Sequence, residues 1–283
     1  MTMDGLPPLR EVIDHYDLQA KKSLGQNFLF DLNLTSRIAR ATQPMDCPIV
    51  EIGPGPGALT RALLMEGAQK LICVEADRRF EQPLRDIKAA YGDRLELVFA
   101  DAMTLHPDEL CEGPYKICAN LPYNIGTPLY MSWLETSNWP PRWTSLTLMF
   151  QKEVADRIVA PAGSKAYGRL SILSQWLCHN ETLFDIDPRA FVPPPKITSS
   201  VIQITPRDEV LAPASLPALK RVTTAAFGQR RKMLRASLKQ LGVDPIQLLS
   251  TANIEETRRA ETLTIEEFCT LARCLEALKF SAD

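Results

Sequence analysis

Histidine is scarce in this 283-residue chain, with only His15, His106 and His179, widely separated. No cysteine lies at ligand spacing from any of them, so a zinc site would have to be assembled from unrelated segments. A catalyst built on a histidine base is disfavoured for the same reason. The seven cysteines, at positions 47, 73, 111, 118, 178, 269 and 274, form no CxxC pair and leave an odd thiol, which fits a reducing compartment. No apolar run approaches the roughly 18 residues of a membrane span. The first twenty residues carry Asp4, Glu11 and Asp14 where a secretory leader would have a basic start and an apolar stretch. The expectation is a soluble, cytoplasmic protein without a metal. Neither sign of charge predominates: 32 basic against 34 acidic residues give a net charge of −2, so any nucleic-acid surface must be local. Apolar residues are plentiful at 45%, enough for one large core with a satellite, or for two domains.

After a polar arm over residues 1–20, residues 35–42 read as a short helix and Ile49–Ile52 as a buried strand. Gly53-Pro54-Gly55-Pro56-Gly57 can be neither helix nor strand, and residues 58–65 behind it form a helix stopped by Gly67. Strands follow at 71–75, 95–99, 116–119 and 144–150, with helices at about 78–90, 127–135 and 151–160. This alternation predicts an α/β fold with a mostly parallel sheet covered on both faces. Pro193-Pro194-Pro195 breaks the rhythm, and residues 200–204 form a last strand without a helix-length crossover before it, hence a candidate for antiparallel pairing. From about 211 the pattern is helical only, with caps at Asp244-Pro245 and Thr264–Glu267. The expected division is a sheet-bearing domain over 1–207 and a small helical domain over 208–283.

A strand entering Gly53-x-Gly55-x-Gly57 ahead of a helix allows a ligand to approach backbone closely. By itself such a loop is also a plain sharp turn. Glu75, ending the next strand, is placed to take both hydroxyls of a ribose, with Ala76 beside it. Asp101, followed by Ala102, ends the third strand and should reach the same crevice. The prolines stiffen the loop and no second phosphate site is visible, which argues against a nicotinamide dinucleotide. S-adenosylmethionine fits better, with ribose at Glu75, the adenine amine at Asp101 and the aminoacyl end at Gly53.

Asn120-Leu121-Pro122-Tyr123 follows the fourth strand at the same edge. The exocyclic amine of adenine is a poor nucleophile because its lone pair is delocalised into the ring. An Asn oxygen and an adjacent backbone carbonyl can each accept one amine hydrogen, freeing that pair and aiming it at a methyl group. Pro122 fixes the backbone, and the Tyr123 ring offers a stacking platform for an extruded base.

The segments Lys22-Ser23-Leu24-Gly25-Gln26-Asn27-Phe28-Leu29, EIGPGPGALT (51–60), VEAD (74–77), ADAM (100–103), NLPYNIGTPL (120–129), QKEVADRIVA (151–160), SKAYGRLS (164–171), FVPPPKITSSV (191–201), FGQRRKMLRASL (227–238) and RRAETLTIEEF (258–268) together resemble the bacterial KsgA/RsmA family of small-subunit ribosomal RNA dimethyladenosine transferases. The resemblance implies a Rossmann-like methyltransferase fold with a seven-stranded sheet. It also implies transfer of four methyl groups from S-adenosylmethionine to two adjacent adenosines in the 3′-terminal hairpin of 16S rRNA, on a small-subunit precursor; a monomer is the separate expectation. The cofactor residues it implies are Asn27, Leu29, Gly53, Glu75, Asp101 and Asn120, and Gln26, Gly55, Ala76 and Ala102 beside them complete the candidate set. Relatives that confer macrolide resistance share the crevice motifs, but the blocks at 191–201 and 227–238 favour the ribosomal housekeeping enzyme.

No acid occurs from Val210 to Val243, while seven lysines and arginines do. On one continuous helix Phe227, Leu234, Leu238 and Leu241 would share an apolar face flanked by Arg231, Lys232, Arg235 and Lys239. Arg221, Arg230, Arg231, Lys232 and Arg235 are the candidate RNA contacts; a merely solvated face is the alternative. Phe191, ahead of the prolines, is expected to sandwich the flipped base opposite Tyr123, while Ser199 and Ser200 read as strand-edge hydroxyls. Two rival functions are an assembly checkpoint that binds and leaves immature subunits, and a DNA adenine methyltransferase using the same tetrad.

Overall fold

A computed structural model describes residues 4–20, 25–136 and 138–280. The Lys22–Leu24 part of the family-like segment, and the first three residues of the arm, lie outside the described residues. Strands run β1 Phe28–Leu29, β2 Ile49–Ile52, β3 Leu71–Val74, β4 Leu95–Val98, β5 Tyr115–Asn120, β6 Trp143–Gln151, β7 Cys178–Ile186, β8 Phe191–Val192 and β9 Ser199–Pro206. Helices are α1 Leu9–His15, α2 Leu32–Arg40, α3 Ala58–Met65, α4 Glu81–Tyr91, α5 Gly126–Leu134, α6 Lys152–Val159, α7 Arg169–Leu177, α8 Leu216–Gly228, α9 Leu234–Ser237, α10 Pro245–Thr251 and α11 Ile265–Phe280.

Seven strands form one sheet in the order β4-β3-β2-β5-β6-β9-β7. Strands β4, β3, β2, β5 and β6 pair in parallel, and β9 runs antiparallel to β6, as the missing crossover before it indicated. Every residue of β2 and β3 is buried, which is why both read as unbroken apolar or nearly apolar runs. The chain leaves β2 toward β3 and β4, then returns to β5 on its other side. That reversal opens a crevice at the carboxyl ends of these strands, where ligands bind in open α/β sheets. β7 escapes the sequence pattern because this last strand of the sheet is mixed in burial along its length and shows no clean two-residue alternation.

The packing divides the chain into two units rather than by a single cut after residue 207. One holds Met1–Trp133, Pro141–Ala155 and Glu181–Pro206; the other holds Leu134–Pro140, Asp156–Asn180 and Arg207–Asp283. In the first, the arm read as merely polar carries α1 and is pinned by a buried ion pair, Arg61 Nε to Asp4 at 2.7 Å, while the Tyr16 hydroxyl donates to Asp86 at 2.6 Å. In the second, α8 is capped by Ser215 and buries Leu219, Val222, Ala225 and Ala226. The caps expected at Asp244 and at Thr264–Glu267 both form, the latter as a reciprocal box with bonds of 2.8 and 3.3 Å. Among the described residues no helix is long and apolar enough to cross a membrane, and all seven cysteines are free thiols.

Candidate active site

The loop after β2 holds Gly53, Gly55 and Gly57 at φ of 68°, 56° and 93°, a left-handed run that side-chain-bearing residues rarely adopt. Gly57 has a second constraint, because a Cβ built there would stand 2.2 Å from the Ile87 side chain of α4. The loop therefore lies flat against its neighbours and opens α3 behind it. Beside it is a cavity of about 490 Å³ at the carboxyl ends of β2, β3, β4 and β5. Its lining brings together Gln26, Asn27, Leu29, Gly53, Gly55, Glu75, Ala76, Asp101, Ala102 and Asn120 with Leu121, Pro122 and Tyr123.

Glu75 is 7% exposed and accepts hydrogen bonds from the Gly55 N–H at 3.0 Å and the Asp77 N–H at 2.7 Å. Burial pushes its carboxyl above the ordinary range, and those bonds pull it back. Asp101 is exposed and bends its own turn by accepting from the Met103 N–H at 2.9 Å. Gln26 faces the cavity, but both ends of its amide are engaged: Nε2 donates to Asp77 at 3.1 Å and Oε1 accepts from Arg79 at 3.2 Å. Burial of Asp77 is outweighed by its bonds from Arg79 and Gln26, which hold its carboxyl at about 2.

The sequence reading missed Glu51, which lines the cavity beneath the loop. It is 1% exposed and accepts from the Thr60 hydroxyl at 2.7 Å and the Cys73 thiol at 3.3 Å. Burial pushes its carboxyl up to about 7 in spite of these bonds. An unfolded glutamate ionises near 4.5, so between those values the folded chain holds a proton that the unfolded chain has lost. This contribution to stability is complete below 4.5 and is lost as pH rises through about 7. In thermal melts across pH 5–8, Glu51→Gln should therefore gain on the parent protein as pH rises, by up to roughly 3 kcal/mol. Parallel stability curves would contradict it.

Asn120 ends β5, and its Nδ2 donates to the Asn27 carbonyl at 3.5 Å. The Pro122 carbonyl accepts from the N–H groups of Ile125 and Gly126 as α5 begins, so the turn is held from inside. The Tyr123 hydroxyl lies 2.6 Å from Ser199 Oγ, a buried residue of β9. Ser199 is thus more than a strand-edge hydroxyl, since it anchors the hydroxyl end of the Tyr123 ring. Ser200 donates to Asp185 at 2.6 Å. Phe191, expected to sandwich the base opposite Tyr123, lies behind the cavity wall. It is 2% exposed, pairs with Leu29 across the β1–β8 ladder and is absent from the cavity wall. Its ring packs in the core with Leu29, Ile186 and Val201, and so supports the 28–29 segment.

The basic stretch is not one helix. α8 stops at Gly228, residues 229–232 turn, and Met233 is extended and bridges to Arg259 before α9 begins. Acids from elsewhere in the same unit also reach it: Lys220 pairs with Glu135 at 2.6 Å, Arg230 with Glu261 at 3.2 Å and Arg235 with Glu256 at 2.8 Å. Arg221 donates to the Leu241 carbonyl at 3.3 Å. Arg231, Lys232 and Lys239 are exposed and make no ion pair among the described residues.

Comparison with known proteins bears on the family and the fold. The family model for ribosomal RNA adenine dimethylases matches residues 17–277. The ribosomal RNA small subunit methyltransferase A of Rhodopseudomonas palustris (strain BisA53) is 57% identical over 280 residues, covering 98% of this chain and 97% of its own. That of Agrobacterium fabrum (strain C58) is 55% identical, covering 96% and 99%. Among solved structures, a dimethyladenosine transferase from Plasmodium falciparum shares the fold with a TM-score of 0.74 at 24% identity, over 90% of this chain and 98% of its own. The 23S rRNA methyltransferase ErmE gives 0.65 at 26% identity, over 88% and 100%. With the family matched over most of its length and relatives more than half identical end to end, the chain belongs to the ribosomal RNA adenine dimethylase family.

Proposed function

We propose that this protein uses S-adenosylmethionine to dimethylate the exocyclic amines of two adjacent adenosines in the 3′-terminal hairpin of 16S rRNA. The observation that carries the reading is a single cavity with a glycine loop and two acids on one side and the Asn120–Tyr123 tetrad on the other. A nucleoside bearing an aminoacyl chain suits these residues. Glu75 would take the ribose hydroxyls, Asp101 the adenine amine and the Gly53–Gly57 backbone the aminoacyl end, with Gln26, Asn27, Leu29, Ala76 and Ala102 as walls. Bound there, S-adenosylmethionine supplies an electrophilic methyl group on a positively charged sulfur.

Asn120 and a neighbouring carbonyl then act on the acceptor. Since the Pro122 carbonyl is occupied by the start of α5, the second acceptor is assigned to Leu121. Each takes one hydrogen of the adenine amine, drawing the nitrogen toward tetrahedral geometry with its lone pair aimed at the methyl carbon. S-adenosylmethionine held in the cavity would give its methyl group to this lone pair, its sulfur keeping the electrons of the broken bond, and the surplus amine proton would pass to water. The two oxygens face the positive charge that develops on nitrogen. Tyr123, steadied by Ser199, is the platform for the extruded base.

The acceptor is assigned to small-subunit precursors, acted on by a monomer in the cytoplasm. Arg231 and Lys232, having no acidic partner among the described residues, are the assigned phosphate contacts, with Arg221, Arg230 and Arg235 as weaker ones. Each phosphate contact adds about one unit to the salt dependence of binding. Replacing Arg231 and Lys232 together by alanine should flatten the slope of log affinity against log salt by roughly two units. Filter binding to small subunits in a potassium chloride series reads this directly, and an unchanged slope would remove these residues from the interface. The reaction itself is tested by mass analysis of rRNA from undermethylated small subunits incubated with protein and S-adenosylmethionine. Two adjacent dimethyladenosines are expected, and methylation of duplex DNA in preference to the particle would overturn the assignment.

A further inference from the structure

Asn120 can help a methyl transfer only if its amide is turned with Oδ1 toward the acceptor, and an amide can flip. The contact that settles the orientation is Nδ2 donating to the Asn27 carbonyl, at a long 3.5 Å. The accuracy of the catalytic amide therefore depends on where the backbone of residues 25–29 sits. One end of that segment is fixed by the Leu29–Phe191 pairing. At the other end Gly25, at φ 66°, passes so close to the tetrad that a Cβ would lie 3.1 Å from the Asn124 side chain.

Between them the holding group is the Arg79 guanidinium. Its Nη2 donates to Gln26 Oε1 at 3.2 Å, its Nε to Asp77 at 3.0 Å, and its Nη1 to the Gln19 carbonyl at 3.0 Å. Asp77 closes the ring by accepting from Gln26 Nε2 at 3.1 Å, and the Asp77 N–H is the one that donates to Glu75. A planar guanidinium with three nitrogens on three partners holds direction as well as charge, which a lysine cannot reproduce.

We propose that Arg79 is a positioning residue for methyl transfer: through Gln26 it sets the 25–29 backbone, and through the Asn27 carbonyl it orients the Asn120 amide. The inference rests on the proposed roles of Asn120 and the cofactor cavity. It places Arg79 between the ribose-binding acid and the catalytic amide, touching neither substrate.

The test uses the full chain with Arg79→Ala, Arg79→Lys, Gln26→Ala and the Arg79→Ala/Gln26→Ala pair, with Asn120→Ala in parallel. Cofactor affinity is measured by calorimetry, folding by thermal melts, and the methyl-transfer rate in single turnovers on undermethylated small subunits at saturating S-adenosylmethionine. Arg79→Ala and Gln26→Ala should each slow the saturated rate ~10-fold. Arg79→Lys should recover little of it, and the double variant should be no slower than Arg79→Ala alone, because both break the same connection. Should Arg79→Ala fail to fold, Gln26→Ala against Arg79→Lys gives the same comparison. Wild-type saturated rates with only weaker cofactor binding, or effects that multiply in the double variant, would overturn the proposal. An inactive Asn120→Ala beside a fully active Arg79→Ala would sink this inference alone, whereas an active Asn120→Ala would sink the reading on which it rests.

Discussion

Asn120→Ala should lose ~10²–10³-fold in the rate of methyl transfer, the size of effect seen when one preorganised dipole is removed from the place where charge develops. Its cofactor affinity should change by less than about threefold, because the amide's task lies on the acceptor side. Single-turnover transfer to undermethylated small subunits and calorimetric titration of S-adenosylmethionine separate the two quantities. The substitution leaves one carbonyl, that of Leu121, to hold both amine hydrogens, so the lone pair returns toward conjugation with the ring. Full turnover in the variant would mean that the nitrogen is activated by some other group.

Glu75→Ala should act on the opposite half of the cavity, weakening S-adenosylmethionine by ~10²-fold. Two hydroxyl bonds to a carboxylate are each worth roughly 1.5–3 kcal/mol, and losses within one bidentate contact add incompletely. The same carboxylate receives the Gly55 and Asp77 N–H groups, so its removal also leaves two backbone donors, one in the glycine loop and one after β3, without their partner. Glu75→Gln keeps one acceptor oxygen where the carboxylate offers two, so it can hold only one of these donors and should fall between the parent and the alanine variant. The saturated transfer rate should change far less than the affinity in either case. An unchanged dissociation constant would remove Glu75 from the ribose contact.

The loop, both acids and the tetrad were legible because each is a local pattern: a glycine run after an apolar strand, an acid at a strand end, a proline after an amide. Their meeting in one cavity follows from the parallel sheet, since strands running the same way deliver their carboxyl ends to one edge. What escaped detection is long-range. Gln26 and Asp77 are 51 residues apart, Tyr123 and Ser199 are 76 apart, and no single segment hints at either bond. Glu51 reads as one more member of a buried strand, and only its contacts with Thr60 and Cys73 show a protonatable group beneath the loop. The ion pairs of the basic stretch are long-range as well. Glu135 lies 85 residues from the lysine it neutralises, so an acid-free window of sequence is not an acid-free surface. The burial of Phe191 was likewise hidden, because it depends on a pairing with Leu29, 162 residues earlier in the chain.

The central claim concerns geometry at one nitrogen, and a crystal structure of the protein with a non-transferring S-adenosylmethionine analogue and a bound rRNA hairpin tests it most directly. The target amine should lie within about 3.2 Å of both Asn120 Oδ1 and the Leu121 carbonyl. The base should lie on Tyr123 with its nitrogen facing the methyl position. A target base seated in the cavity with its amine turned away from Asn120, or bonded there to a different pair of groups, would contradict it.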